Sequence, residues 1–540
     1  MKMNCKYLVG LIFLIAFTTS KAQQNNTTVF QAWADQQVCI TGEEIWIDGY
    51  INQELKNIKS ITMRLVDRNG QTKSEVDVIP QRNGFAGYIS IPENLVSDYY
   101  FIDCFAKGLH ATSKLQPIMV INPRLAPNAS CPSTPLSSTT IKNSQITIKT
   151  TKEIFNPRSP VRLDLEMSSA LDQISISAVM HDALSAKMDS ISNLFPLSFN
   201  HNSSGDLENE GQLISVTATT ANGPLKNTKL IAGLKGTKSV IGTSMTNEYG
   251  VAKFILPLTY DPRLLVVSSL GNKKEKVSFI VGKTVSDNQL IQFPCLSLNE
   301  SMRTLIDNRI FNSRVTNRFF GVNTKAVETV ERDTTDFYGR PDVVFQLDDY
   351  VRFPNMEEVI SEIIPQLRVK KNKEEMILQV LNTPYKTFFE QEALVLLDGV
   401  PVNNTKALIE ADPLLTKSIE IVARKYMQGN ADFNGIVHFK TYRGDQANLQ
   451  QVTNEGNFIL NGLQEASSYQ NLDHSKKSDR MPDMRNLLWR DVNITQDQIK
   501  SGLKYFTSDV EGSFKIIAKG MNANKELVIG EKIITVTKEQ

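Results

Sequence analysis

Along much of this chain apolar and polar residues alternate one by one, which restricts the local structure more than any other feature. Val161, Leu163 and Leu165 alternate with Arg162, Asp164 and Glu166, and Ile174 and Ile176 alternate with Ser175 and Ser177. A period of two with one apolar face suits a half-buried strand and does not produce the stripe of a helix. The short runs "EEIWIDGYI", "SITMRLVD", "SEVDVI", "GYISI" and "YYFIDCFA" fill residues 28 to 123 between turns of Gly, Asn and Asp. That spacing belongs to a β-sandwich. The predicted fold class is therefore mainly β: tandem sandwiches, one α+β unit and no transmembrane barrel.

Residues 1–22 read as a signal peptide. Lys2 and Lys6 flank the start of "YLVGLIFLIAF", a run too short for a spanning helix of about 20 residues. Ser20-Lys21-Ala22 then supplies a small-x-small cleavage pattern, so the cut is expected between Ala22 and Gln23. Cys5 precedes the apolar run, so a lipid anchor by this route is not expected. Removing the leader takes away three lysines and no acid, moving the formal charge from +1 to −2. No electrostatic case for nucleic acid survives. No later segment approaches 18 uninterrupted apolar residues, so no transmembrane segment is expected in the mature chain.

At about 100 to 200 residues per domain, the chain should hold several. A first sandwich is expected over 23–124. The stretch "LAPNASCPSTPLSSTT", 125–140, reads as a linker. A second sandwich is expected over 141–198, continuing or followed by a linker to 211, and a third over 207–283 with turns at Asn222-Gly223 and Tyr249-Gly250. An α+β unit is expected over 289–445, an extended connector over 446–503, and a separate sandwich-like module over 504–540. In "FPNMEEVISEIIPQLRV" Pro354 stands near a helix start, and Glu357 and Glu358 lie in the first turn, where the helix dipole favours acids. Met356, Val359, Ile360 and Ile363 share one face before Pro365 stops the helix. A second helix is expected around 404–410.

Signals for catalysis are scarce. The five histidines, His110, His181, His201, His438 and His474, lack metal-ligand spacing and read as strand or loop residues. No nucleophile elbow is present. Asp348-Asp349 and Asp398 are the best carboxylates, but their settings fit a helix cap and a turn. No catalytic, cofactor or metal site is expected, and the chain is not expected to be an enzyme. Four cysteines remain after leader removal, Cys39, Cys104, Cys131 and Cys295, and they allow three complete pairings. Cys39 and Cys104 are candidates for a disulfide across the first sandwich, in an oxidising compartment.

Several motifs carry resemblances. Gly42-Glu43 with "IWIDGY", then "YYFIDCFAKG" and "QPIMVINP", resemble the macroglobulin-like domain that opens many envelope proteins of Bacteroidota. "FNPRSPVRLDL" and "ISISAV" are similar to the domain that follows it. "TNEYGVAKF" resembles a carboxypeptidase-regulatory-like sandwich. The thioester motif of true α2-macroglobulins is absent, so covalent protease trapping is not implied. "FPNMEEVISEIIPQLRV", "LVLLDGVPV", "DPLLTKSIEIV" and "FNGIVHFKT" together resemble the plug of TonB-dependent outer-membrane receptors, through Leu394, Leu396, Asp398, Gly399, Val400, Pro401, Val402 and Gly435. Such a plug sits in a barrel of about 22 strands. Only 95 residues follow Asp445, too few at about 9 to 11 membrane-crossing residues per strand. "RMPDMRNLLWRDVNI" and "YFTSDVEGSFKIIAKG" resemble the tail of the same multi-domain proteins.

These resemblances imply a non-enzymatic binding or assembly protein, an accessory subunit of an outer-membrane complex for transport, secretion or protein insertion, on either face of that membrane. Its expected partner is an outer-membrane protein complex or β-barrel. Two alternatives stand beside it. One is a secreted or surface glycan-binding protein or enzyme using Trp33, Trp46 and Trp489. The other is a plug-like module acting on a separate barrel.

Overall fold

The computed structural model describes residues 28–538 apart from 128–145, 202–210, 283–289, 327–334, 445–455 and shorter stretches of up to six residues. The expected signal segment, with Ala22 and Gln23, lies outside the described residues, as does Cys131. Strand accounts for 51% of the structure and helix for 13%, so sheets carry the core. The chain is mainly β, built of tandem sandwiches, with no barrel closure among the described residues. Among the described residues no helix is long and apolar enough to cross a membrane.

Two five-stranded sheets make the first sandwich. One runs in the order 198–201, 111–114, 28–34, 44–51, 84–90, and the other 38–40, 116–121, 98–105, 61–66, 72–78. Strand Thr28–Ala34 shows the sandwich pattern, with Phe30, Ala32 and Ala34 turned inward. They meet Ile45, Ile47, Met63, Leu65, Ile102 and Ile118 in one core. The outer edge of strand Gly84–Ser90 is closed by a side chain. Gln464 accepts from Tyr88 N at 2.9 Å and donates to Tyr88 O at 3.0 Å, as a neighbouring strand would.

The expected Cys39–Cys104 disulfide is not formed: both thiols are free and buried. Register explains why. Cys39 aligns with Val120, which aligns with Asp98, and Cys104 lies six residues farther along that strand. At about 3.3 Å per residue the two are roughly 20 Å apart along the strand direction, whereas a disulfide needs Cα atoms within about 7 Å. Cys295 is disulfide-bonded.

The second sandwich corrects the expected organisation. Strands 146–150, 160–167 and 503–506 form one sheet, and 154–155, 527–536, 512–521, 172–180 and 487–494 form the other. Residues 504–540 are therefore not a module of their own. Pro160 pairs with Phe506 and Ser177 with Ile517, and Val161, Leu163 and Ile176 share a core with Trp489, Phe514 and Ile534. Four strands from 141–198 cannot cover both faces of a sandwich, and the later strands complete it. Nor is 446–503 a plain connector. Strand Gly456–Leu460 joins the third sandwich beside Arg263–Ser269, Ser467–Tyr469 pairs with Thr324–Ala326, and Leu487–Ile494 joins the second sandwich.

The third sandwich packs strands 212–220, 251–256, 278–282 and 223–224 against 229–234, 240–245, 263–269 and 456–460. Gly223 and Gly250 have positive φ at its turns, a conformation glycine adopts without penalty. The α+β module has a five-stranded sheet, 343–346, 416–428, 431–441, 394–397 and 400–401, and a three-stranded one, 367–371, 376–382 and 387–388. Helix Met356–Ile363 starts where Asn355 accepts from Glu358 N. Its Met356, Val359 and Ile360 are buried against Leu378, Val395 and Ile419. Helix Thr405–Ile409 is capped by Asn404.

Burial, and then the neighbouring Glu43 for one thiol and Asp103 for the other, push Cys39 and Cys104 well above their ordinary pKa. Native protein treated with iodoacetamide should label at neither, and denaturation without reductant should open both. Peptide mass mapping checks this; either cysteine protected after denaturation contradicts the assignment.

Candidate functional site

Nothing in the local sequence marks Asp35, Asp48, Arg490 and Lys519 as a group, yet they meet in one buried cluster. Asp48 lies on strand Glu44–Ile51 of the first sandwich, and Asp35 directly follows strand Thr28–Ala34. Arg490 and Lys519 stand on strands Leu487–Ile494 and Gly512–Met521 of the second. Arg490 Nε reaches Asp35 Oδ2 at 2.6 Å, Lys519 Nζ reaches Asp35 Oδ1 at 3.0 Å and Asp48 Oδ2 at 2.8 Å, and Arg490 also pairs with Asp48 Oδ1. All four side chains are at most 6% exposed. Burial opposes ionisation of Asp48, but the charges of Arg490 and Lys519 outweigh it and hold its pKa below the ordinary range. Two acids and two bases close on each other, so the quartet is neutral as a whole. A low dielectric makes each contact strong only while all the partners stay in place.

The tryptophans considered as sugar platforms belong to these joints and cores. Trp46 is 3% exposed beneath Arg490, whose guanidinium lies 4.8 Å from the ring centroid. Lys519 lies 5.6 Å from the half-buried Trp33 ring. Trp489, 1% exposed, stacks on Tyr505 in the second core. Trp46 and Trp489 offer no open face of the kind a sugar ring stacks on, and Trp33 is partly covered.

A second polar cluster joins the third sandwich to the α+β module. Asp336, Glu420 and His438 place potential ligand atoms within 4.8 Å of one another, so the test is whether they suit a metal. Gly399 N–H donates to His438 Nε2 at 2.9 Å. Nδ1 must then carry the imidazole proton and donate to Tyr338 Oη at 2.7 Å. Tyr338 in turn donates to Glu420 at 2.7 Å. Lys440 Nζ sits 2.8 Å from both Asp336 and Glu420, where a cation would bind. Both imidazole nitrogens are engaged and an ammonium already bridges the carboxylates, so this donor set does not suit a divalent ion. Burial, then the charge of Lys440, lower His438 to about 3. The imidazole is neutral at neutral pH.

The residues grouped as plug-like come together around this cluster. Leu394 and Leu396 lie on a buried strand parallel to Ile436 and His438. Asp398 (φ 46°) and Gly399 (φ 88°) both have positive φ between the paired Leu397 and Val400, the geometry of a type I′ hairpin, which favours Asp-Gly. Asp398 accepts from Thr441 N at 2.8 Å and from Thr441 Oγ1 at 2.7 Å. Gly435 (φ 89°) lies against Val380, where a Cβ would come within 2.8 Å. Val400, Pro401 and Val402 are buried. The hairpin tip faces the third sandwich: a Cβ on Gly399 would touch Ser239, and one on Gly233 would meet Pro401. Asp336 also accepts from Ser239 N at 2.7 Å. The other described histidines pair similarly, His181 with Asp189, His201 with Asp103 and His474 with Asp483.

Crevices lie between the first and second sandwiches, one lined by Trp33, Asp35, His181, Arg309 and Lys515 and another by Glu43, Trp46, Ser313, Tyr469 and Arg485. Their volumes are about 20 Å3 and 60 Å3, room for a water or two.

No family model and no curated protein sequence matches the chain. Among solved structures it is similar to the native conformation of E. coli α2-macroglobulin, at TM-score 0.23 and 7% identity, and to a mutant of Salmonella α2-macroglobulin, at 0.22 and 8%. Each likeness covers 95% of this chain and 40% of the other, so the chain spans about 40% of the length of those macroglobulins. Bovine butyrophilin is matched at TM-score 0.13 and 8% identity, over 47% of this chain and 99% of that one. Likeness at this level carries no conclusion about activity.

Arg490→Met should lower the stability of the full chain by about 3–5 kcal/mol in urea, because it leaves buried carboxylates with one cation. Adding Asp48→Asn should cost less than the sum of the single effects; additive effects would show that the four do not act together. His438 has an ordinary pKa of 6.5 when unfolded and about 3 when folded, so between those values the unfolded chain binds more protons. Stability is full above about pH 6.5 and falls as the pH is lowered, by at most about 1.4 kcal/mol per unit from this group. His438→Gln, which can still accept from Gly399, should flatten that part of the urea-derived stability profile.

Proposed function

We propose that the chain is a non-enzymatic binding or assembly protein of the cell envelope, an accessory subunit of an outer-membrane complex for transport, secretion or protein insertion. We read its first two sandwiches as macroglobulin-like, the third as carboxypeptidase-regulatory-like and the α+β module as plug-like, on the motifs quoted above. The observation that carries the proposal is the Asp35, Asp48, Arg490, Lys519 quartet. This set of buried charges fastens one sandwich to the next, which suits a scaffold that presents surfaces to partners. The envelope setting rests on the leader-like segment 1–22.

The two alternatives draw less support. Trp46 and Trp489 are buried and Trp33 is partly covered, which disfavours a glycan platform on these rings. The stretch Leu394 to Val402 is held against the third sandwich, which opposes its acting as a free stopper for a separate barrel.

Mild detergent extraction of envelopes followed by affinity purification of the tagged chain tests the proposal. A constant-stoichiometry complex with an outer-membrane protein is expected. Recovery of the chain alone as a soluble monomer overturns it.

A further inference from the structure

The second half of helix Arg303–Phe320 is built inside out. Its first half packs Leu305, Ile306 and Ile310 against the apolar cluster around Tyr99 and Phe293. The buried residues of the helix, however, are Arg309, Asn312 and Ser313, while Phe311 is 58% and Phe319 46% exposed. A surface helix ordinarily turns its apolar stripe inward. Here the inward face is a polar clamp. Arg309 donates to Asp182 Oδ2 at 2.7 Å, to Ser185 Oγ at 2.8 Å and to the Val38 carbonyl at 3.3 Å, and Asn312 donates to Asn486 at 2.9 Å. These bonds fix the helix against both the first and the second sandwich, and its phenylalanines are left outside.

At 100° per residue Phe311, the half-buried Val315 and Phe319 follow one another along the outward side, with exposed Arg314 and Arg318 beside them. The stripe runs about 12 Å along the axis. Neither arginine has an ion-pair partner among the described residues, whereas Arg303 on the same helix pairs with Glu300 at 3.0 Å.

We propose that this face is a docking stripe for an acidic segment of a partner protein that carries apolar residues three or four apart. The phenylalanines supply the apolar anchors, which dominate the energy of small interfaces. Arg314 and Arg318 supply charge-assisted bonds to carboxylates. The clamp holds the helix in place before binding, so little ordering cost falls on this side. Charge complementarity selects an acidic partner. Exposed Asp307, one turn before Phe311, confines the partner's carboxylates to the Arg314 and Arg318 end of the stripe; a lipid surface fits less well, because uniformly anionic headgroups would press on Asp307 as well. The proposal rests on the binding-protein reading above and names a surface and partner chemistry for it.

A display library of 20-residue peptides selected against the full chain tests it. Enriched peptides should be net acidic with apolar residues at helical spacing. Their affinity should fall about tenfold or more in Arg314→Glu/Arg318→Glu and in Phe311→Ser/Phe319→Ser, with unchanged melting, and stay the same in Lys253→Glu. Exchanging Glu for Lys in a selected peptide should restore binding to Arg314→Glu/Arg318→Glu. Peptides without acidic bias, or insensitive to these substitutions, overturn the proposal. So does binding to phosphatidylglycerol vesicles that the same substitutions abolish, since that marks a lipid face. A detergent-extracted complex undiminished by Arg314→Glu/Arg318→Glu removes the stripe and leaves the binding-protein reading standing.

Discussion

Four charges buried between two sandwiches hold the architecture together. Asp35 and Asp48 come from the first sandwich, Arg490 and Lys519 from the second, and no solvent separates them. Such a cluster contributes little if compared with a well-packed apolar replacement, but it tolerates the loss of no single member. It therefore fixes orientation more than it adds stability. The same logic recurs where Arg309 ties a helix to both sandwiches, and where Asp336, paired with Lys440, accepts from the Ser239 amide of the third sandwich. Apolar burial builds each module, and ionised or hydrogen-bonded groups set how the modules meet.

Local pattern made much of the secondary structure readable in advance. Alternation at Val161 to Glu166 marks a strand because one face of it is buried and the other is not. Asp398-Gly399 marks a hairpin because few other pairs accept positive φ twice. Helix Met356–Ile363 is legible from its cap and its apolar face. The contacts that local pattern does not encode are those between residues far apart along the chain. Asp35 and Arg490 are separated by 455 residues, and no periodicity connects them. The available hint is a charge inside an apolar strand, as Asp48 in "EIWIDGYI" and Lys519 in "FKIIAKGM". Cys39 and Cys104 share a sheet but not a register, and composition cannot tell those apart. Helix Arg303–Phe320 hides because its buried half is polar, the reverse of the pattern by which surface helices are found.

The interleaving of the second sandwich has a kinetic side. Ser159 is hydrogen bonded to Thr507 across 348 residues, and the third sandwich and the α+β module are threaded between the two halves. At about 5 to 20 residues per second of synthesis, strand Pro160–Met167 waits on the order of tens of seconds for its neighbour. Throughout that interval its edge is open, and an open edge invites a stray strand. The late arrivals act as a latch: until they close, the modules enclosed between them are parts of an unfinished protein.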